Sequence, residues 1–234
     1  MMIDKKVILI TGTSKGIGKY LAEYYCSKGH VVTGCSRKDT EIKNDNYTHF
    51  SLDVTDEKKV KDLFLHIRNV HKNLDVLINN AGIASMNHVM LTPLETVKKI
   101  FDTNFTGTFL FCREAAKIMN RNKSGRIINL SSVAADIGIE GEAVYASSKS
   151  AVATFTKILS KELSTFGITV NSIGLTPVNT DLIKNVPPPK ISSLLDKLTL
   201  KRFAEFTDIS NVTDFFIREE SKFITGQNIN LGGV

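Results

Sequence analysis

The sequence predicts a doubly wound α/β fold, in which helices flank a parallel sheet. Short apolar runs rich in β-branched residues alternate with amphipathic stretches of helical period, and a glycine-rich turn directly follows the first apolar run. Crossovers between parallel strands are right-handed, and ligands collect beyond the carboxyl ends of the strands. A chain of 234 residues suits one such domain, so we predict a single domain over residues 1–234.

The strands are predicted from short apolar runs, and the first run, residues 6–11, is typical because β-branched side chains are frequent in it. The corresponding runs predict strands near residues 6–11, 31–35, 48–52, 75–79, 125–131, 167–173 and 228–231. Between them, amphipathic stretches predict long helices over about 17–28, 56–71, 93–120 and 143–165, and a shorter helix near 207–218. This alternation is typical of a parallel sheet, because each parallel connection needs a crossover.

The first β-α-β unit contains a glycine-rich turn between its strand and its helix. Gly12 allows a tight exit from the strand, whereas Gly16 and Gly18 let the backbone approach a pyrophosphate closely. The helix that follows points its first N–H groups at the same anion, and Gly29 ends it before the second strand. The turn therefore favours a bound cofactor over the alternative of a purely structural turn. Its candidate binding residues are Gly12, Ser14, Lys15, Gly16, Ile17 and Gly18.

A tyrosine and a lysine in the predicted helix over 143–165 are the strongest candidates for chemistry. Tyr145 and Lys149 are four residues apart, so they project from one helix face about a turn apart. A phenol has a pKa of about 10, and a fixed ammonium nearby stabilises the phenolate and lowers that pKa. The pair is suited to proton transfer, although the same spacing also occurs on ordinary surface helices. Ser132, thirteen residues before Tyr145, follows a predicted strand and can share the site.

Further short motifs occur in order along the chain with the spacing of one enzyme family. They are Asp53-Val54, Asn79-Asn80-Ala81-Gly82, Asn104, Ser131-Ser132, Val170-Asn171-Ser172, Thr180-Asp181 and Phe223-Ile224-Thr225-Gly226-Gln227. Together with the glycine turn and the tyrosine-lysine pair, they make the sequence similar to the short-chain dehydrogenase/reductase family from Lys5 to Gly233. Within that family the chain most resembles the 3-oxoacyl-[acyl-carrier-protein] reductases.

The resemblance implies a Rossmann-like fold whose seven-stranded parallel sheet has the order 3-2-1-4-5-6-7. It also implies hydride transfer between a nicotinamide and a carbonyl carbon, in which Ser132 polarises the carbonyl oxygen and Tyr145 delivers the proton. Lys149 would hold the nicotinamide ribose and stabilise the phenolate. Asn104 matches the family residue that disturbs its helix locally, so that a backbone carbonyl and a water connect Lys149 to solvent.

Contacts to the adenosine part of the cofactor are implied by the same resemblance. Asp53 and Val54, after the third predicted strand, would hold the adenine ring. Asn80, Ala81 and Gly82, after the fourth, would pass close to the adenosine side of the cofactor. All of these residues follow strands, so they are expected at the carboxyl edge of the sheet.

The end of the second strand bears on which nicotinamide cofactor is preferred. An acidic residue there would accept hydrogen bonds from a ribose 2′-hydroxyl and repel a 2′-phosphate, but this sequence has Cys35-Ser36-Arg37-Lys38. Arg37 can stack on adenine and pair with the phosphate, Ser36 can donate to it, and Lys15 can approach from the glycine turn. NADP(H) is therefore predicted as the preferred cofactor. Asp39 lies close enough to keep NAD(H) as the alternative.

The substrate pocket should be walled by residues 84–90, 134–142 and 175–201, the last of which the family uses as a mobile lid. Thr180, in the lid, would contact the nicotinamide carboxamide or a phosphate. The three segments mix apolar and acidic side chains, so they fit a 3-oxoacyl thioester and also a sugar, a polyol or another small alcohol. Leu175-Thr176 replaces the usual Pro-Gly of the family. A non-catalytic cofactor sensor is the least favoured function, because the four predicted catalytic residues are intact.

Charge and composition argue against several other classes. The formal net charge is +6, but basic and acidic residues are interleaved, so no nucleic-acid partner is predicted. No apolar run approaches the ~18 residues of a membrane span, no leader precedes the first strand, and the three cysteines lack paired spacing. A cytoplasmic protein that binds no membrane is therefore expected. The five histidines show no ligand spacing, and no metal is predicted.

Two kinds of protein partner follow from the family resemblance. It implies a homo-oligomer, with a tetramer as first choice and a dimer as second. An acyl-carrier thioester substrate would bring an acidic carrier helix, which Arg121, Lys123 and Arg126 are candidates to receive.

Overall fold

The computed structural model describes residues 5–184 and 186–234, and its centre is a seven-stranded parallel sheet. The strands are β1 (Val7–Thr11), β2 (Val31–Ser36), β3 (Tyr47–Ser51), β4 (Val76–Asn79), β5 (Gly125–Ser132), β6 (Ile168–Leu175) and β7 (Asn228–Asn230). Their order across the sheet is β3-β2-β1-β4-β5-β6-β7, which confirms the predicted fold class. Residues 1–4, where a leader would begin, and Asn185, within the predicted lid, lie outside the described residues.

Eight α-helices connect these strands within the described residues. They are α1 (Gly16–Ser27), α2 (Glu57–His71), α3 (Leu94–Phe101), α4 (Gly107–Asn122), α5 (Ala134–Ile137), α6 (Ala143–Leu163), α7 (Pro188–Asp196) and α8 (Phe206–Ile217). The prediction of one continuous helix over 93–120 is wrong, because a π-helical turn, Asp102–Thr106, separates α3 from α4. Helix α7 was not predicted, since three consecutive prolines suggest a break. Proline is nevertheless compatible with the first turn of a helix, where its missing N–H has no partner to lose.

Alternate residues of the central strands face two separate layers of the core. Leu9 of β1 belongs to the cluster that also contains Phe111 of α4, whereas its neighbour Ile10 belongs to the cluster that contains Tyr25 of α1 and Phe216 of α8. The separation follows from the twofold side-chain period of a strand. Because both faces are covered, β1 is apolar throughout rather than alternating. Both clusters share one sheet, so the described residues form a single domain.

Strand β6 is longer than predicted, and this positions the ends of two strands side by side. The prediction ended the strand at residue 173, but β6 continues to Leu175, which pairs with Ser132 at the end of β5. The N–H of Val133 donates to the Leu175 carbonyl at 3.0 Å. Leu175 stands where the family usually has proline, and unlike proline it does not interrupt a strand. The last residue of β5 is therefore held against β6.

The basic residues proposed for carrier docking lie far from the end of β5. Arg126, a candidate to receive a carrier helix, is buried in β5 and pairs with Glu219 at 3.2 Å, so its guanidinium is not available for docking. Lys123 precedes the strand, and its ammonium lies 4.7 Å from the centre of the Phe166 ring. Seven strand steps of about 3.3 Å separate the start of β5 from Ser132, or about 23 Å. A carrier bound at this surface would meet the edge of the sheet opposite Ser132.

The residues that the structure describes contain neither a candidate metal site nor a candidate membrane span. Over 5–184 and 186–234, no three His, Cys, Asp or Glu side chains form a group that could hold a metal ion. Within the same ranges, no helix has the length and apolar character needed to span a membrane.

Candidate active site

The carboxyl ends of β1 and β4 are joined by hydrogen bonds around Thr11. The Thr11 hydroxyl accepts the backbone N–H of Asn80 at 3.0 Å and that of Ala81 at 2.9 Å. In return, the Asn80 side-chain nitrogen donates to the Thr11 carbonyl at 2.7 Å and to the Gly12 carbonyl at 3.2 Å. These bonds fix the glycine turn against the end of β4. Three predicted cofactor-binding residues, Gly12, Asn80 and Ala81, therefore lie together at this edge of the sheet.

The glycine turn has no room for side chains where it passes β4. A Cβ atom on Gly18 would lie 2.3 Å from the Gly12 carbonyl oxygen and 2.4 Å from the Asn80 side-chain nitrogen. Helix α1 begins at Gly16, and the side chain of Lys15, at its N-cap position, makes no capping hydrogen bond. The first turn of α1 therefore has N–H groups to offer an anion. Close backbone packing and these donors fit the pyrophosphate of a dinucleotide.

The other residues of the turn connect it to the core and to the chain after β6. Ile17 packs, partly buried, against the core cluster of α1, and Ser14 lies half-buried in the turn. Lys15 forms an ion pair with Asp181 at 2.8 Å. A Cβ atom on the glycine that begins α1 would lie 3.6 Å from the Thr180 methyl group. Lys15 thus contacts Asp181 of the predicted lid, whereas the sequence predicts that it approaches a 2′-phosphate at the end of β2.

Ser132, Tyr145 and Lys149 come together where the end of β5 meets the inner face of α6. Their side chains are buried, with relative exposures of 7%, 9% and 6%. The Ser132 hydroxyl accepts the Ala134 N–H at 3.2 Å and lies beside the Tyr145 phenol. The Lys149 ammonium donates to the Leu130 carbonyl of β5 at 2.7 Å. One buried site thus contains a hydroxyl, a phenol and an ammonium.

Burial dominates the electrostatics of this group. It raises the pKa of Tyr145 to about 12, while the Ser132 hydroxyl lowers this pKa and the Glu142 carboxylate raises it. Burial also lowers the pKa of Lys149 to about 8. The expected lowering of the phenol pKa by Lys149 is not found in this structure, in which the ammonium binds the Leu130 carbonyl. Tyr145 is consequently protonated at neutral pH and can act as an acid.

Asn104 lies in the π-helical turn between α3 and α4, where it holds the segment that follows β4. Its side-chain oxygen accepts the N–H of Ile83 and its side-chain nitrogen donates to the carbonyl of Ile83, both at 2.9 Å. The local disturbance expected at Asn104 takes the form of this π turn. A Cβ atom on Gly82 would lie 3.3 Å from the Asn104 oxygen and 3.5 Å from the Lys149 nitrogen. The glycine therefore leaves the space between the two groups open.

Two serines outside the predicted set help to position these residues. The Ser148 hydroxyl accepts from the Asn104 side chain at 2.9 Å and donates to the Tyr145 carbonyl at 2.7 Å. The Ser131 hydroxyl donates to the Lys149 carbonyl at 3.1 Å. Ser131 thus faces the backbone of α6, whereas its neighbour faces the phenol. Ser148 lies three residues after Tyr145 on the same helix face, and this spacing is the sequence signal that could have identified it.

The predicted site for the 2′-phosphate lies at the end of β2. Ser36 is buried, and its hydroxyl donates to the Lys38 carbonyl at 2.6 Å. The side chains of Arg37 and Lys38 are exposed. His49 of β3 lies 3.3 Å from the Ser36 hydroxyl, measured from its Nε2. Long-range strand pairing brings this histidine to the site, and nothing in its local sequence predicts it.

The residues predicted to hold the adenine ring follow β3. The Asp53 carboxylate accepts from the N–H and the hydroxyl of Thr55, at 3.0 and 2.9 Å. Val54 is buried against the start of α4, because a Cβ atom on Gly107 would lie only 2.7 Å from its methyl group. Both residues lie at the carboxyl edge of the sheet, beyond the end of β3.

A dinucleotide cradle next to a buried Ser-Tyr-Lys group defines the class of protein, a nicotinamide-dependent oxidoreductase. The family model described as short chain dehydrogenase matches residues 6–190. The chain therefore belongs to the short chain dehydrogenase family. It is an NAD(P)-dependent oxidoreductase that acts on CH–OH and C=O groups.

Individual relatives agree with this assignment over nearly the whole chain. The 3-oxoacyl-[acyl-carrier-protein] reductase FabG of Staphylococcus aureus strain Mu50 is 34% identical over 238 residues, covering 97% of both proteins. Among solved structures, ElxO with NADP bound has a TM-score of 0.89 at 30% identity and 97% coverage of both chains. A short chain dehydrogenase from Leptospira borgpetersenii with bound NAD+ has a TM-score of 0.89 at 26% identity, covering 98% of this chain and 92% of its own.

Proposed function

We propose that this protein is an NADPH-dependent reductase of a carbonyl substrate, with a 3-oxoacyl thioester as the first candidate. The observation that carries the proposal is the burial of Ser132, Tyr145 and Lys149 in one site beside the glycine turn. The likeness to the 3-oxoacyl-[acyl-carrier-protein] reductases supports the substrate class. The likeness to ElxO, whose structure has NADP bound, supports the cofactor.

In the proposed reaction the chain positions the substrate and manages one proton, and the bound nicotinamide supplies the hydride. The Ser132 hydroxyl donates a hydrogen bond to the carbonyl oxygen and polarises it. Tyr145, which burial keeps protonated, transfers its phenolic proton to that oxygen as the alcohol forms. Lys149, held at the Leu130 carbonyl, is the cation available to stabilise the resulting phenolate.

Asn104 has a positioning role in this proposal. Its three side-chain hydrogen bonds, two to Ile83 and one to Ser148, hold α6 and the segment after β4 in one arrangement. Gly82, between Asn104 and Lys149, leaves the space between these two side chains open. The π turn therefore helps to position the buried group, and the relay from Lys149 to solvent through a backbone carbonyl and a water remains part of the proposal.

The preference for NADPH rests on the charge at the end of β2. Arg37 and Lys38 are exposed there, and neither forms an ion pair with any residue in the described ranges. A 2′-phosphate would supply the missing anion, and the guanidinium can pair with it in bidentate geometry. In this proposal Lys15 exchanges Asp181 for the phosphate, Asp53 and Val54 contact the adenine ring, and Thr180 contacts the nicotinamide side.

Glu142 favours a second substrate class. Its carboxyl group is half-buried, and burial raises the pKa of Glu142, an effect that the nearby Lys190 of α7 partly offsets. The carboxylate also lies close enough to Tyr145 to raise the pKa of the phenol. A carboxylate beside the reacting group can accept hydrogen bonds from substrate hydroxyls. A sugar, polyol or other small alcohol is therefore the alternative substrate. We also propose that residues 175–201, which carry Lys190 and Asp181, form the lid over either substrate.

The proposal is tested by NADPH and NADH oxidation with acetoacetyl thioester, for the wild type, Tyr145→Phe and Arg37→Asp. We expect NADPH-dependent turnover that Tyr145→Phe abolishes while leaving NADPH binding intact. Arg37→Asp should weaken NADPH binding and leave NADH binding unchanged. Tight NADPH binding without thioester turnover would favour the alternative substrate class of sugars, polyols and other small alcohols. Turnover that survives Tyr145→Phe would refute the catalytic assignment.

We propose further that the protein is a homotetramer, with a dimer as second choice, in the cytoplasm. The outer faces of α4 and α6 carry Phe109 and Ile158, which are 38% and 53% exposed, and Phe105 and Phe109 pack on Phe155 between the two helices. Such an apolar face fits association with a second copy. Sedimentation of the wild type and of Ile158→Lys tests this; equal masses for both proteins would count against the interface.

A further inference from the structure

A row of hydrogen-bonded side chains crosses the carboxyl ends of β2 and β3. The Tyr47 phenol donates to the Thr13 hydroxyl in the glycine turn at 2.8 Å, and its oxygen lies 2.9 Å from Nδ1 of His49. On the other side of the ring, Nε2 of His49 lies 3.3 Å from the Ser36 hydroxyl and 3.1 Å from the Lys38 carbonyl. The row joins the glycine turn to the end of β2, and His49 is its central member.

Gly34 of β2 provides the space for this row. A Cβ atom on Gly34 would lie 2.1 Å from the phenol oxygen of Tyr47 and 2.5 Å from the hydroxyl oxygen of Thr13. A larger residue would displace Tyr47 from the glycine turn. Tyr47 and His49 are two residues apart on β3, so both side chains point to the same face of the sheet. Strand β3 forms the sheet edge, with β2 as its neighbour, so the ring of His49 reaches Ser36 at the end of β2 and the Lys38 carbonyl just after it.

The partners of the His49 ring are arranged as hydrogen-bond acceptors. The Lys38 carbonyl can only accept. The Ser36 hydroxyl donates its proton to that carbonyl at 2.6 Å, and the Tyr47 phenol donates its proton to Thr13, so both oxygens offer lone pairs to the ring. With the hydroxyl protons in these positions, both ring nitrogens face acceptors. A ring with a proton on both nitrogens could donate to each of these partners.

The charged and titratable groups near the ring come from the same strands. Tyr47, on the strand of His49, stays neutral because burial raises its pKa to about 12. After β2, Arg37 and Lys38 are exposed cations, and Asp39 is an exposed carboxylate beside them. Ser36, which contacts the ring, is thus followed in sequence by two cations and one anion. A phosphate dianion bound at Ser36 would reverse this balance and favour the protonated ring.

Resting on the NADPH preference proposed above, we propose that His49 is a positioning residue that sets specificity for the 2′-phosphate. As an imidazolium it donates to the Lys38 carbonyl, which frees the Ser36 hydroxyl to donate to a phosphate oxygen. It also places a positive charge one side chain away from that oxygen. Binding of a 2′-phosphate and protonation of His49 are then linked, so NADPH takes up a proton at this ring and NADH does not.

Titration calorimetry with NADPH and with NADH, in HEPES and in Tris at pH 7.5, measures both affinity and proton uptake. The proteins are the wild type, His49→Gln, and His66→Gln as a matched control on α2. We expect His49→Gln to bind NADPH about tenfold more weakly and to leave the NADH affinity unchanged, because one charge-assisted interaction is lost. Proton uptake on NADPH binding should be smaller in His49→Gln than in the wild type, and unchanged in His66→Gln.

Three outcomes would contradict the inference, and they differ in what they overturn. Unchanged NADPH affinity or unchanged proton uptake in His49→Gln would overturn the role of His49 while leaving the NADPH preference standing. An equal loss of NADH and NADPH affinity would show a structural role only. A wild type that binds NADH as tightly as NADPH would overturn the proposed cofactor preference itself.

Discussion

Replacing Lys149 by methionine should abolish activity and at the same time stabilise the fold. Burial lowers the pKa of Lys149 from 10.5 to about 8, which means that the folded protein disfavours the ammonium by roughly 3 kcal/mol relative to the unfolded chain. Methionine has a similar length and no charge to bury. Losing the hydrogen bond to the Leu130 carbonyl lowers the free energy of unfolding by about 1 kcal/mol. The expected net gain is about 2 kcal/mol in the free energy of unfolding at pH 7.

The pH dependence gives this prediction its sharpest test. Below pH 8 the wild type carries the full cost of the buried ammonium, because both folded and unfolded states are protonated. Between about pH 8 and 10.5 the folded lysine releases its proton while the unfolded one keeps it, so wild-type stability rises with pH. The advantage of Lys149→Met should therefore shrink toward zero across this window.

Urea unfolding at fixed protein concentration, followed by far-UV circular dichroism at pH 7 and pH 10, measures the difference. Lys157→Met is the matched control, because Lys157 is an exposed lysine on the same helix. The control should change stability by less than about 0.5 kcal/mol. A Lys149→Met protein that is less stable than the wild type at pH 7, or whose advantage grows with pH, would refute the reasoning.

Three further changes test other parts of the site. Gly18→Ala places a Cβ atom 2.3 Å from the Gly12 carbonyl, so it should cost about 1–3 kcal/mol of stability and weaken NADPH binding at least about tenfold in a fluorescence titration; unchanged binding would contradict the cradle. Glu142→Gln removes a carboxylate that raises the pKa of Tyr145, so the rising limb of kcat/KM against pH for alcohol oxidation should move to lower pH, while the exposed Glu140→Gln leaves it in place; a limb that does not move would exclude this coupling. Ser148→Ala should lower kcat about tenfold with little change in cofactor affinity, because it breaks the link between the π turn and α6; Ser148→Thr, which keeps the hydroxyl, should restore part of kcat, and equal losses in both variants would argue against the link.

The sheet and the buried Ser-Tyr-Lys group could be anticipated because their signals are local or recurrent. Tyr145 and Lys149 are one helical turn apart, so helix geometry alone brings them to one face. The π turn at 102–106 could not be predicted from periodicity, because the apolar pattern continues on both sides of it. Its position depends on Asn104 bonding to Ile83, which is 21 residues away in the chain.

Electrostatic detail was less predictable than position. The sequence suggests an ammonium that lowers the pKa of a phenol, but the Lys149 nitrogen binds the Leu130 carbonyl and burial controls the pKa of Tyr145. Side-chain composition contains no information about which main-chain carbonyl a buried ammonium will meet. Arg126 shows the same limit. Its burial and its ion pair with Glu219 arise only in the folded chain, because the two residues are 93 positions apart in sequence.

In the proposed NADPH site, residues of β3 act together with the charged end of β2. The glycine turn is held on one side by Thr11, which accepts from the backbone after β4, and on the other by Thr13, which accepts from Tyr47 of β3. Through His49 the second connection continues to Ser36, where a 2′-phosphate would bind. A change at Tyr47 can therefore alter the pyrophosphate turn, whereas a change at His49 acts on the phosphate pocket. Under the role proposed for His49, selectivity between NADPH and NADH would be a property of β2 and β3 together, and Gly34, which has no side chain, leaves the space for their coupling.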